Sequence, residues 1–191
     1  MPDPARCERC LYRRELCLCP ALADLGGIVT RTRVVILRHA SERTRSSNSG
    51  RLAHLALTGS ALIDVAVPGE PAPEIDLGAG AWMVYPDGPP RVTAPVPAPT
   101  TLVFLDGTWP QTRRMRQRLP CLRGVPALAL VPTAAPARLR NAPAPGMVST
   151  IEAIASALRL VESPAAADRL ERLFAVAVDH AQRAGRRPPT P

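Results

Sequence analysis

Asp106, Gly107, Thr108 and Trp109 put a carboxylate, a glycine, a hydroxyl and one of the two tryptophans at consecutive positions. A carboxylate held near a substrate can accept its proton. A glycine lets the backbone approach a ligand, and an indole face attracts cations. The apolar run Thr101-Leu102-Val103-Phe104-Leu105 comes just before them and reads as a buried strand. Residues 111–119 follow, carry Arg113, Arg114, Arg116 and Arg118, and read as a helix. Asp106 therefore falls where a strand hands over to a helix, the place where open α/β sheets bind ligands. The same residues also suit a plainer role, with Asp106 and Thr108 capping the helix. This segment alone leaves both open.

A second polar group opens another helix. Ser149 and Glu152 in Ser149-Thr150-Ile151-Glu152-Ala153 have capping-box spacing, and Ile151, Ile154, Ala155 and Leu158 form its apolar stripe. A third group is Cys7-x2-Cys10-x6-Cys17-x-Cys19, four thiols within 13 residues. Four thiolates at this density point to a closed structural zinc site. A redox pair or unconnected thiols are the alternatives, because the spacing is not the common double CxxC. Cys121 stands apart and reads as a free, buried thiol.

Together these segments resemble the signature motifs of the DTW-domain family. The resemblance rests on Asp106-Gly107-Thr108-Trp109, on Ser149-Thr150-Ile151-Glu152-Ala153, on the cysteines, and on His39-x-x-Glu42 followed by Arg45-x-x-Asn48-Ser49-Gly50-Arg51. The four motifs occur in the family's order and span residues 7 to about 160. Two positions depart from the pattern: Ala40 stands where the family has proline, and Ser49 where it has threonine.

The resemblance implies a SPOUT-like, trefoil-knotted α/β fold and transfer of the 3-amino-3-carboxypropyl group of S-adenosylmethionine to N3 of a tRNA uridine. Methylthioadenosine is then the other product. On this reading Asp106 is the base that removes the N3 proton. Gly107, Thr108, Trp109, Leu130, Val131, Ser149, Thr150 and Glu152 surround the donor, although Glu152 serves equally well as a cap. His39, Arg45, Asn48 and Arg51, with Arg113 and Arg114, meet the RNA. Cys7, Cys10, Cys17 and Cys19 hold the zinc. Two other classes compete: a SPOUT-type RNA methyltransferase, and a zinc-knuckle RNA-binding protein without catalysis.

The elements that must position these residues alternate. Strands are expected at 32–38, 61–67, 81–85, 100–105 and 127–131, and helices at 51–59, 111–119, from Ser149, and from Ser163-Pro164. In the last helix Leu170, Leu173, Phe174, Ala177 and Val178 make a core stripe with no chemistry assigned. Alternation of this kind argues for a mostly parallel sheet with flanking helices. The expected organisation is a cysteine module over 1–24, a catalytic domain over 25–184 and a disordered basic tail over 185–191. A proline- and alanine-rich loop with Arg138, Arg140 and Asn141 precedes the Ser149 helix. There is no G-x-G-x-x-G after a strand, so a Rossmann-type nucleotide site lacks support. His54 and His180 read as solvent-facing or packing residues.

The chain has 191 residues, and 46% are hydrophobic, enough to build a core. It contains no 18-residue apolar run and no apolar leader at its start, so no membrane span and a cytoplasmic location are expected. The net charge is +8, and all 24 basic residues are arginine. Guanidinium forks suit phosphates and stack on bases, so a polyanionic partner fits; a generally basic surface is the alternative. Aromatic residues make up only 3%, too few for a broad stacking platform. RNA binding is therefore expected to rest on arginine and shape.

Overall fold

Five parallel strands form the central sheet. They are β2 (Arg33–His39), β4 (Ala61–Val65), β5 (Ala81–Val84), β6 (Thr101–Asp106) and β7 (Ala127–Leu128), arranged in the order β4-β2-β6-β5-β7. A separate parallel pair joins β1 (Ile28–Val29) to β3 (Leu57–Thr58). The helices are α1 (Cys19–Leu25), α2 (Ser49–Ala56), α3 (Trp109–Arg118), α4 (Thr150–Val161) and α5 (Pro164–Arg183). The computed structural model describes residues 4–131 and 148–185.

The central strands are apolar on both faces because helices cover both. Val34 and Ile36 of β2 and Leu102 and Phe104 of β6 join one core with α2, α4 and α5. Val35, Leu37 and Val103 face the other way, onto Met115 of α3 and onto Leu119. Continuous apolar strands between two helical layers are the mark of a buried parallel sheet. The stripe on α5 is buried as its periodicity requires, with Leu170 and Ala177 fully enclosed against Ile154 and Leu158 of α4. Glu162, between these helices, accepts the backbone N–H groups of Arg31 (2.8 Å) and Thr32 (3.1 Å), which fixes the helical pair to the start of β2.

The cysteine segment packs into the same core. Cys10, Tyr12, Leu18 and Leu22 are buried with the residues of α4 and α5, and α1 starts at the last cysteine and runs past residue 24 to Leu25. His180 of α5 bonds through Nδ1 to the Leu16 carbonyl (3.0 Å), and His54 of α2 to Ser60 Oγ (2.8 Å), so both are packing residues.

Several boundaries differ from expectation for local reasons. The helix expected from residue 51 starts at Ser49, because the Asn48 side chain accepts the Arg51 N–H (2.7 Å) and caps it there. It ends at Ala56, and Leu57 and Thr58 extend to pair with β1. The strand expected over 127–131 is confined to Ala127–Leu128; beyond it Leu130 makes one isolated bridge to Arg91. Arg138, Arg140, Asn141 and the tail beyond Gly185 lie outside the described residues.

Candidate active site at the ends of the central strands

Asp106 is the last residue of β6, and in the sheet register it lies beside Arg38 of β2, which in turn lies beside Asp64 of β4. Asp64, Arg38 and Asp106 thus form an alternating row of charge at the carboxyl ends of three strands. Arg38 Nε donates to Asp64 Oδ1 at 2.6 Å, and Arg38 is buried.

The Asp106 carboxylate is 4% exposed and is held on both oxygens. Asn48 Nδ2 donates to Oδ2 at 2.5 Å, and Thr150 Oγ1 donates to Oδ1 at 2.6 Å. Burial raises its pKa above the ordinary 3.8; the bonds from Thr150 and Asn48, and the Arg38 charge, pull the other way. Gly50 is needed beside it, because a Cβ there would lie 2.8 Å from Asp106 Cγ. Ser49 Oγ reaches the Ile151 N–H at 3.5 Å. One carboxylate therefore ties together the end of β6 and the amino-terminal ends of α2 and α4.

An apolar cleft of about 180 Å³ opens on the same edge of the sheet. Of the residues expected around a donor, Gly107, Trp109, Leu130, Val131, Ser149 and Thr150 line it. Thr108 and Glu152 are not among its lining residues. Thr108 and Gln111 form a capping box on α3, in which Gln111 Oε1 accepts the Thr108 N–H at 2.7 Å. Glu152 Oε2 likewise accepts the Ser149 N–H at 2.7 Å, so its carboxylate caps α4. A side chain at Gly107 would be crowded, since a Cβ would meet Gln111 Oε1 at 3.1 Å and His39 Cβ at 3.3 Å.

The expected RNA residues separate into two groups. Asn48 is buried, with its carbonyl capping α2 and its amide on Asp106, which removes it from the surface. The Arg51 guanidinium turns inward to the Arg43 carbonyl (2.5 Å). His39 holds Ser41 Oγ at 2.9 Å, and Gln111 Nε2 donates to the same oxygen at 2.9 Å. Arg45 reaches the buried Glu42 at 3.2 Å yet stays largely exposed. Arg113 and Arg114, by contrast, are exposed and line a shallow groove with Tyr85, Trp109, Pro110 and Gln117. Tyr85 and Trp109 also line the apolar cleft, so cleft and groove share one aromatic wall, the two rings 6.2 Å apart. Arg116 belongs to that wall, because it pairs with Asp87 and lies over the Tyr85 ring at 5.1 Å.

Sequence reasoning missed Arg38, Asp64 and Tyr85, while Gly50 stands in the Asn48-Ser49-Gly50-Arg51 motif with no role of its own assigned. A charged residue closing the apolar run of β2 was the available sign for Arg38. Nothing local marks the others, because their partners come from distant segments.

The four thiols meet at the other end of the chain. All four Sγ atoms lie within 4.8 Å of one another, with Cys7–Cys19 and Cys10–Cys17 each at 3.7 Å. Tetrahedral zinc with sulfur at about 2.3 Å requires S···S edges of about 3.8 Å, so the cage of free thiols fits that ion. Backbone N–H groups, that of Cys10 foremost, draw the Cys7 thiol down to about 6, while burial pushes Cys19 up to about 12.

The DTW domain profile matches residues 4–182. The chain belongs to the DTW-domain family. It is also similar to tRNA-uridine aminocarboxypropyltransferase 2 of Drosophila melanogaster, with 30% identity over 174 residues, covering 83% of this chain and 67% of the relative. No solved structure matches it. The DTW motif itself thus divides its labour: Asp106 holds the helices, Gly107 and Trp109 face the cleft, and Thr108 caps α3.

Proposed function

We propose that this protein transfers the aminocarboxypropyl group of S-adenosylmethionine to N3 of a uridine in tRNA. The observation that carries the reading is the shared aromatic wall. An apolar cleft lined by both family motifs opens beside a groove that presents Arg113 and Arg114. A small cationic donor and a polyanion can therefore meet across Trp109. The relative's name supports the transferred group and a tRNA uridine as its acceptor.

In this reading Leu130, Val131, Ser149 and Thr150 bracket the donor. The Trp109 face attracts its sulfonium. Exposed arginines of α3 hold phosphates and bring the base to the cleft mouth. Uridine N3–H is an imide and becomes nucleophilic only on losing its proton. Asp106 is the base, with a pKa lifted by burial toward the range where a carboxylate works as one. The cysteine cage takes structural zinc, which would pin the amino-terminal segment to the core. The SPOUT-like relationship and a cytoplasmic location belong to the same reading. Among the described residues no helix is long and apolar enough to cross a membrane.

Nucleoside mass analysis of tRNA incubated with protein and S-adenosylmethionine tests it. The expected products are aminocarboxypropyluridine and methylthioadenosine. S-adenosylhomocysteine with a methylated base would assign a methyltransferase instead, and failure to bind S-adenosylmethionine would leave an RNA-binding protein.

A further inference from the structure

The base assigned above does not touch the cleft. Asp106 is buried, and it is absent from the residues that line the opening. Thr150 is both a lining residue and the donor of the 2.6 Å bond to Asp106 Oδ1. Asn48 holds the other oxygen from the buried side. Gly50 closes the space behind the carboxyl carbon, where even a methyl group would collide. Asp106 is thus fixed in place, and the hydroxyl that bonds it belongs to a residue of the cleft wall.

We infer that Thr150 is a catalytic residue, relaying the uridine proton to Asp106 through its hydroxyl. The inference rests on the reading above. The balance is as follows. The N3 proton passes to Thr150 Oγ1 as the Thr150 hydroxyl proton passes to Asp106 Oδ1. The N3 lone pair forms its bond to the donor's methylene carbon as the C–S bond breaks. That bond's electrons return to sulfur, which leaves as neutral methylthioadenosine. Asp106 ends protonated and Thr150 ends as it began. The proton returns from Asp106 to water through the same hydroxyl once product leaves. A hydroxyl suits the task because it accepts and donates at once. A buried carboxylate suits it because a carboxyl group in a dry site accepts a proton more readily than one in water.

Thr150→Val and Thr150→Ser test the relay, with tRNA and S-adenosylmethionine as substrates. Valine keeps the shape and removes the hydroxyl; serine keeps the hydroxyl. The expected result is a fall in kcat of about 10²–10⁴-fold for Thr150→Val, the usual scale for losing acid–base catalysis. The dissociation constant for S-adenosylmethionine should stay within about threefold, and Thr150→Ser should recover most of the rate. The valine rate should climb with pH as hydroxide takes over, while the serine rate follows the wild type. Equal loss in both variants, or loss confined to donor affinity or to thermal stability, would overturn the relay and make Thr150 a binding or structural residue. Near-normal turnover in Thr150→Val would overturn it too. Both outcomes leave the transfer reaction standing, because wild-type protein still releases methylthioadenosine. Wild-type protein that releases none refutes the transfer reading itself, and the relay with it.

Discussion

At Asp106 opposing influences act on one proton. Burial raises the pKa; Thr150 and Asn48 stabilise the anion, Glu42 opposes it, and Arg38 favours it. With burial prevailing, the folded protein holds that proton more tightly than the unfolded chain does. Such a group adds stability that is full below the ordinary carboxylate pKa and is lost as pH rises through the folded value. Asp106→Asn has no such group. The stability difference between variant and wild type should therefore move in the variant's favour from pH 4 to pH 8, measured by urea denaturation at several pH values. A constant difference would show that the three partners, rather than burial, set the balance. Asn48 carries a separate load, because its carbonyl caps α2 and its amide holds Asp106. Loss of a cap costs about 0.5–2 kcal/mol, and loss of a bond to a buried charged group about 1.5–3 kcal/mol. Asn48→Ala should accordingly destabilise the protein by about 2–5 kcal/mol in the same assay.

Among the elements, α3 bears the clearest division of function. It presents Arg113 and Arg114 to solvent and commits Arg116 to Asp87 and Tyr85. Each phosphate contact contributes about one unit to the log–log slope of affinity against salt. Arg113→Ala and Arg114→Ala should each flatten that slope by about one in tRNA titrations, whereas Arg116→Ala should leave it nearly unchanged. An equal effect at all three positions would move the RNA track onto the wall itself. The strength of α4, α5 and β6 as elements was legible because each carries a long periodic or unbroken apolar pattern. β1 and β3 were not, since two-residue strands are defined by their neighbours. The site was legible as a set of motifs but not as a geometry. Asn48 looked like a surface residue because its partner Asp106 lies 58 residues away, and Arg38 meets Asp64 only through the strand register. Glu152 was legible as a cap because its partner lies within one turn.

On the scale of the whole molecule, the cysteine cage and the sheet share one core. Cys10, Leu18 and Leu22 pack with Leu170 and Phe174. Structural zinc binding is worth an apparent ~10–16 kcal/mol in small zinc modules. Removing the ion by chelation should thus lower the melting temperature of the entire chain in one cooperative transition, followed by calorimetry alongside elemental analysis. A low-temperature step confined to the amino-terminal segment would mean that the cage folds apart from the sheet. Freshly reduced protein with no metal and four titratable thiols would remove zinc altogether. The 24 basic residues are all arginine, so the positive charge does not titrate away between neutral and alkaline pH, and in that range association with RNA should respond to salt far more than to pH.

The wall between cleft and groove also has an optical consequence. Trp109 lies at the junction, 6.2 Å from Tyr85, while Trp82 lies under the Arg91 guanidinium at 5.4 Å, outside the cleft lining. These are the only two indoles in the chain. A Trp82→Phe variant would therefore emit from a single fluorophore placed between the two binding surfaces. Occupancy of the cleft should dehydrate the Trp109 ring and shift its emission to shorter wavelength, and a nucleobase arriving from the arginine side should quench it by stacking. A single steady-state spectrum would then distinguish donor-bound, RNA-bound and ternary states, and stopped-flow recording of the same signal would give their order of assembly.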